Sequence, residues 1–173
     1  MAGERHERSC RARYADAYHL GVSTQQRAGA ITVTVGAAVV LVGTFLTWLR
    51  SGAIDRTSYD VFDLVDRLGF SKGDLVGWAL RLWPLVPFML VVTVITWWSP
   101  YSGSGWMATR AALTIISSVY AGGVAVAVVN APDIALFSVG PGPVVTLVGA
   151  ISMVVGLGVA IISATRRERP GPP

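Results

Sequence analysis

The sequence predicts an all-α membrane protein, a four-helix transmembrane bundle with a short amphipathic helix in the first extracytoplasmic loop. Of the 173 residues 53% are hydrophobic and only 14% are charged, whereas a soluble domain carries about 25% charged residues. The apolar residues run in long blocks rather than in amphipathic stripes, which points to lipid as the solvent. The charges gather at the ends of those blocks, where topology signals belong.

Residues 1–28 read as a polar cytoplasmic arm. Arg5, Arg8, Arg11, Arg13 and Arg27 are partly offset by Glu4, Glu7 and Asp16. No short apolar segment with a small-residue cleavage site precedes the first block, so that block reads as a signal-anchor helix. Residues 29–165 then form the membrane domain. The first span covers about 29–49, with AITVTVGAAVVLVGTFLTWL free of charge. About 20 such residues at 1.5 Å each match a hydrocarbon core of about 30 Å. Trp48 is expected at the interface and Arg50 ends the span.

The outer loop, 50–74, carries TSYDVFDLVDRLGF. Thr57 followed by Asp60 resembles a capping box with Asp in place of Glu. Val61, Phe62, Leu64, Val65 and Leu68 make an apolar set, and Asp60, Asp63, Asp66 and Arg67 a polar one, the spacing of a short amphipathic helix. Gly69 is placed to stop it. Ser71 and Asp74 signal a second helix start.

The second span covers about 75–98. Trp78, Arg81 and Trp83 mark its outer part, Pro84 and Pro87 are expected to bend it, and Trp97 and Trp98 mark the other interface. A short turn-rich linker, SPYSGSG, leads to the third span, about 107–129, in which Arg110 is expected to reach the head groups. A loop from Asn130 to Pro143 holds Asp133 and no base. The fourth span covers about 144–165, and residues 166–173 form a basic, Pro-rich cytoplasmic tail.

Basic residues set the orientation. Nine arginines fall on the N-terminal side: five before the first span, Arg110, and Arg166, Arg167 and Arg169. Five basic residues, Arg50, Arg56, Arg67, Lys72 and Arg81, lie opposite, all around one loop. The positive-inside rule therefore places both termini of the multi-pass chain in the cytoplasm. The basic balance is read as topology, not as nucleic-acid binding.

Little in the chain points to chemistry. The span centres carry no ionisable residue, so proton relays and charged ion pathways have no candidates. Cys10 stands alone, and His6 and His19 have no ligand spacing. No G-x-S-x-G, Walker A or G-x-G-x-x-G motif occurs. Asp60, Asp63 and Asp66 could face a cation, but no glycine-turned ligand loop accompanies them, and Asp63 with Arg67 suits a surface ion pair. No cofactor, metal site or catalytic residue is expected.

Small residues are patterned for helix packing: Gly29, Gly36 and Gly43 every seven, Ser117, Ala121 and Ala125 every four, and Ser152, Gly156, Ala160 and Ala164 every four. Gly36, Gly43, Ala121, Gly156 and Ala160 are the packing candidates within this bundle or against a second copy. The stretch WLRSGAIDRTSYDVFDLVDRLGF, residues 48–70, and the span layout resemble small actinobacterial four-span integral membrane proteins. That resemblance implies an actinobacterial plasma-membrane protein and carries no activity over.

The expected role is a non-enzymatic accessory or scaffold of the cell envelope, in the lipid bilayer and touching a membrane-protein partner or a second copy. Tyr59, Phe62, Asp63, Val65 and Arg81, where the outer loop meets the second span, are the candidate contacts. The alternative is a small oligomeric transporter or channel subunit, for which the hydroxyls Thr32, Thr34, Thr44 and Thr47 and the prolines of the second span are the support.

Overall fold

The computed structural model describes residues 26–51, 53–67, 81–101, 104–130 and 138–165. The arm up to residue 25, the stop at Gly69, the second start at Ser71 and Asp74, Trp78, the turn around Asp133 and the basic tail lie outside these residues. The chain is mostly helical. Three helices are long and apolar enough to cross a membrane: α1 (Gln26–Phe45), α4 (Ser104–Val129) and α5 (Gly142–Thr165). A shorter apolar helix, α3 (Val86–Trp98), follows a 3-10 turn over Trp83–Leu85. At 1.5 Å per residue α1 is about 30 Å long.

α1 stops at Phe45, four residues short of the hydropathy boundary, because the chain passes into a strand. β1 (Thr47–Ser51) pairs antiparallel with β2 (Ile54–Thr57) in a tight hairpin. β3 (Ser138–Val139) adds to the other edge of β1, giving the order β2-β1-β3. The sheet is absent from the expected all-α architecture. It joins the segment after α1 to the segment before α5. α2 (Ser58–Arg67) follows β2 directly, as the capping box predicts.

The prolines do not bend the interior of a helix. Pro84 lies in the 3-10 turn and Pro87 in the first turn of α3. A first-turn proline loses an N–H that has no intrahelical acceptor, so it begins the helix at little cost.

Antiparallel α1 and α5 pack through small residues. A Cβ on Gly29 would stand 2.9 Å from the Gly156 carbonyl oxygen, and one on Gly36 would stand 2.8 Å from that of Gly149. Gly43 faces Thr146 in the same way. The α5 seam therefore alternates three and four residues through Thr146, Gly149, Met153, Gly156 and Ala160, all buried. Of the α5 row spaced by four, Gly156 and Ala160 belong to the seam, whereas Ser152 donates to its own helix at Val148 O and Ala164 is exposed. The α4 row is buried throughout, with Ala121 and Ala125 at 0% exposure.

Around this core runs a belt of outward apolar side chains. Phe88 is 68% exposed, Val119 67%, Ile95 62% and Ile151 55%. Water-soluble monomers do not expose contiguous apolar surface on this scale. The belt and the three long apolar helices are those of a membrane-embedded protein.

The seam yields a paired prediction. Gly36→Val forces α1 from α5 and lowers stability by about 1–3 kcal/mol. Gly158→Ala, whose Cβ would meet nothing within 4 Å, costs nothing and gains up to about 1 kcal/mol of helix preference. Thermal unfolding in one detergent, followed by circular dichroism, compares the two.

Candidate functional site

Two clusters of polar and aromatic side chains lie at opposite ends of the helices. The first sits under the sheet and α2. Trp48 is wholly buried rather than interfacial, and its Nε1 donates to Gly43 O at 2.8 Å. Ser58 Oγ donates to Thr44 O at 2.6 Å and accepts from Trp83 Nε1 at 3.0 Å. Gly43 and Thr44 are in the last turn of α1, whose carbonyls have no helical N–H to meet. The two side chains thus close the helix end where an apolar surrounding makes an unmet carbonyl costly.

Three rings stack over these bonds. Trp48 and Trp83 are 5.2 Å apart edge to face, and Phe62 lies 4.9 Å from Trp83 and 5.9 Å from Trp48. Tyr120 of α4 extends the cluster at 5.9 Å from Trp83. α2 and the 3-10 turn before α3 therefore meet through Phe62 and Trp83. This placement changes the role of Phe62: at 8% exposure it anchors α2 instead of offering a contact surface.

The other candidate contacts divide. Tyr59 is half-buried, its ring 5.4 Å from Phe45, and its hydroxyl has no partner among the described residues. Asp63 is exposed and meets Arg67 at 2.8 Å, the surface pair expected from their spacing. Arg81 is exposed just ahead of the Trp83 turn. Val65 belongs to α2, and its side chain lies outside what the structure describes. Val61 and Phe62 of α2 are thus turned inward, while Asp63 and Arg67 face outward.

The capping box is reciprocal. Thr57 N–H donates to Asp60 Oδ2 at 3.0 Å and Thr57 Oγ1 donates to the same oxygen at 2.8 Å, while Asp60 N–H approaches Thr57 Oγ1 at 3.5 Å. The Thr57 hydroxyl, then its N–H, holds the Asp60 carboxyl below its ordinary range. Across the hairpin, Arg50 Nε donates to Asp55 Oδ1 at 2.6 Å, which lowers the Asp55 pKa in the same way. Two of the three acids considered for a cation, Asp60 and Asp63, are thus engaged elsewhere, and no group of three His, Cys, Asp or Glu side chains assembles among the described residues.

The second cluster is at the other end and centres on Arg110. Burial leaves it 7% exposed. Its Nε donates to Thr96 O at 2.9 Å, and its Nη2 donates to Ser99 O at 2.8 Å and to Tyr101 O at 3.3 Å. Arg110 thus caps the C-terminus of α3, the negative end of that helix dipole. Trp97 lies under the guanidinium at 5.8 Å and donates to Thr114 Oγ1 at 2.9 Å. Thr93 and Ser117 continue this polar seam at 3.2 Å. Trp97 therefore faces inward, and only Trp98, 57% exposed, stands at an outer surface. An arginine seven residues into α4, behind a short turn, is the sequence signal for this cap.

Three of the four hydroxyls considered for a pathway are spent on backbone, and Thr47 lies in β1. Thr32 donates to Ala28 O, Thr34 to Ala30 O and Thr44 to Leu41 O, at 2.9, 2.9 and 2.7 Å. Both histidines and the cysteine precede residue 26, outside the described residues. Comparison with protein-family models, curated proteins and solved structures returns no match.

The cap gives a graded prediction. Trp83→Ala opens the ring cluster and costs about 3–5 kcal/mol, Thr57→Ala removes the helix cap for about 1 kcal/mol, and Asp63→Ala, on an exposed pair, costs under about 1 kcal/mol. Chemical unfolding followed by tryptophan fluorescence ranks the three. Asp60 adds a pH term. Its folded pKa is depressed, so its contribution is present above the unfolded value of about 3.9 and is lost as pH falls through the folded value. Asp60→Asn should flatten that acid limb.

Proposed function

We propose that this chain is a four-span plasma-membrane protein with both termini cytoplasmic, serving as a non-enzymatic accessory or scaffold that presents a folded cap outside the cell. The observation that carries the reading is the pairing of an apolar belt around the helices with an ordered polar cap at one end. In this reading α3, preceded by residues 75–85, is the second span. Two contacts support that: Trp83 packs against Trp48 at the cap, and Trp98 Nε1 donates to Thr34 Oγ1 at 3.0 Å toward the opposite end. α3 thus travels from one end of the helices toward the other although its regular part has 13 residues.

The excess of arginine on the side of Arg27 and Arg110 supports the orientation. The likeness of residues 48–70 to small actinobacterial four-span proteins supports the plasma membrane. The scaffold role rests on an outward face where charged side chains and exposed Ile54 stand over the buried ring cluster. Ile54, 59% exposed on the edge strand β2, and Asp63 and Arg67 of α2 are its accessible contacts. The back-bonded hydroxyls of α1 favour this reading over a pore, because their donor capacity is already committed.

Labelling tests the topology. In cells, Ile54→Cys in a Cys10→Ser background should react with an impermeant maleimide from outside, and native Cys10 only after lysis. The reverse pattern places the cap in the cytosol. Capture of the full chain in mild detergent should recover a second membrane protein at constant stoichiometry, lost when Asp63 and Arg67 are both reversed in charge. Repeated recovery of this chain alone overturns the scaffold role.

A further inference from the structure

A groove of about 570 Å³ opens where the C-terminus of α3 meets the N-terminus of α1. Its size is within the range of small-molecule sites, about 300–1,000 Å³. Arg27 and Arg110 both line it, and among the described residues no acidic side chain does. The acids of the described segments, Asp55, Asp60, Asp63 and Asp66, all belong to β2 and α2 at the opposite end. Arg110 spends Nε and Nη2 on carbonyls, which present only the partial charge of a helix end, about half a unit. Among the described residues no acidic side chain pairs with its positive charge.

Besides Gln26 and Ser99, the rest of the lining is apolar or aromatic. Ile31, 51% exposed, and Trp98, 57% exposed, form one wall continuous with the outer apolar belt. The bond from Trp98 to Thr34 fixes the indole against α1. Tyr101, 68% exposed, stands at the mouth with its ring 5.4 Å from Trp106. Tryptophan and tyrosine favour the head-group level of a bilayer. A soluble anion would meet the two cations and leave Ile31 and Trp98 uncovered. A zwitterionic lipid would bring a cationic amine to a groove whose described residues offer it no carboxylate. An amphiphile with a net negative head and an acyl chain meets both the two cations and the apolar wall.

We infer that this groove binds an anionic phospholipid of the inner leaflet, with its phosphodiester between Arg27 and Arg110 and one acyl chain along Ile31 and Trp98. The inference rests on the membrane reading above and adds a specific lipid class to it. The attraction of each basic side chain for an anionic membrane surface sets the expected effect of removing one, about fivefold in affinity.

The test is native mass spectrometry of the full chain released from detergent with dioleoyl phosphatidylglycerol or dioleoyl phosphatidylcholine. Phosphatidylglycerol adducts should exceed phosphatidylcholine adducts. Arg27→Gln should lower the phosphatidylglycerol affinity about fivefold, and Arg50→Gln, at the cap, should leave it unchanged. Inorganic phosphate at equal concentration should not displace the lipid. Equal retention of the two lipids, indifference to Arg27→Gln, or displacement by phosphate overturns the site. Flotation of the protein with pure phosphatidylcholine vesicles checks bilayer residence separately. A chain that floats and yet holds no phosphatidylglycerol refutes the groove and leaves the membrane reading standing.

Discussion

The structure depends on one close approach, that of α1 to α5. Glycines at 29, 36 and 43 on one helix meet the seam through Gly149 and Gly156 on the other, and no side chain separates the backbones. The approach continues past the helix ends. A Cβ on Gly142 would stand 2.6 Å from the Trp48 indole nitrogen. Gly140 N–H donates to Trp48 O at 2.9 Å, so the β1–β3 pairing continues the helix seam. Trp48, held there, is the surface on which Phe62 and Trp83 stack, and through them α2 and the start of α3 are positioned. In lipid, where apolar association gains nothing from water, such packing is the main source of helix affinity.

A second constraint explains the polar residues inside so apolar a chain. Each helix ends with carbonyls that lack internal donors. In the bilayer setting proposed above, water cannot serve them at depth. The last turn of α1 receives Trp48 and Ser58, the end of α3 receives Arg110, and Asn130 Nδ2 returns to Val126 O at 2.8 Å near the end of α4. Thr93, Thr114 and Ser117 bond within or across the α3–α4 contact. Residues that look like candidates for chemistry in one dimension are, in three, the closures of helix ends.

Much of this was legible from residues alone. Of the four spans expected from block length, three are long helices and the second is described as the shorter α3; the Thr57–Asp60 spacing gave the start of α2, and i,i+4 spacing the Asp63–Arg67 pair. The seven-residue glycine period located the packing face of α1, because a repeat of seven keeps one face of a helix toward its neighbour. The sheet was hidden for a physical reason. β3 has two residues and pairs with a strand far away in sequence, so no local periodicity announces it. Trp48 misled because hydropathy places a tryptophan beside an arginine at an interface, and only the hairpin turns it inward. The role of Arg110 needs the carbonyl positions of another helix, which no single-segment pattern contains. The groove at Arg27 was invisible for the same reason, since its walls come from α1, α3 and α4.

The β1–β3 pairing also bears on how the chain is made. Val139 follows its partner Leu49 by roughly 90 residues. At a ribosomal rate of about 5–20 residues per second, β1 exists for about 5–18 s before β3 emerges. Over that interval the first hairpin has an open edge, and α1 has no glycine-seam partner. Closure of the sheet is therefore a late event in biogenesis, coupled to delivery of the final helix. A ribosome that stalls before residue 138 leaves both the edge and the seam exposed, two signals by which membrane proteases could tell an unfinished chain from a finished one.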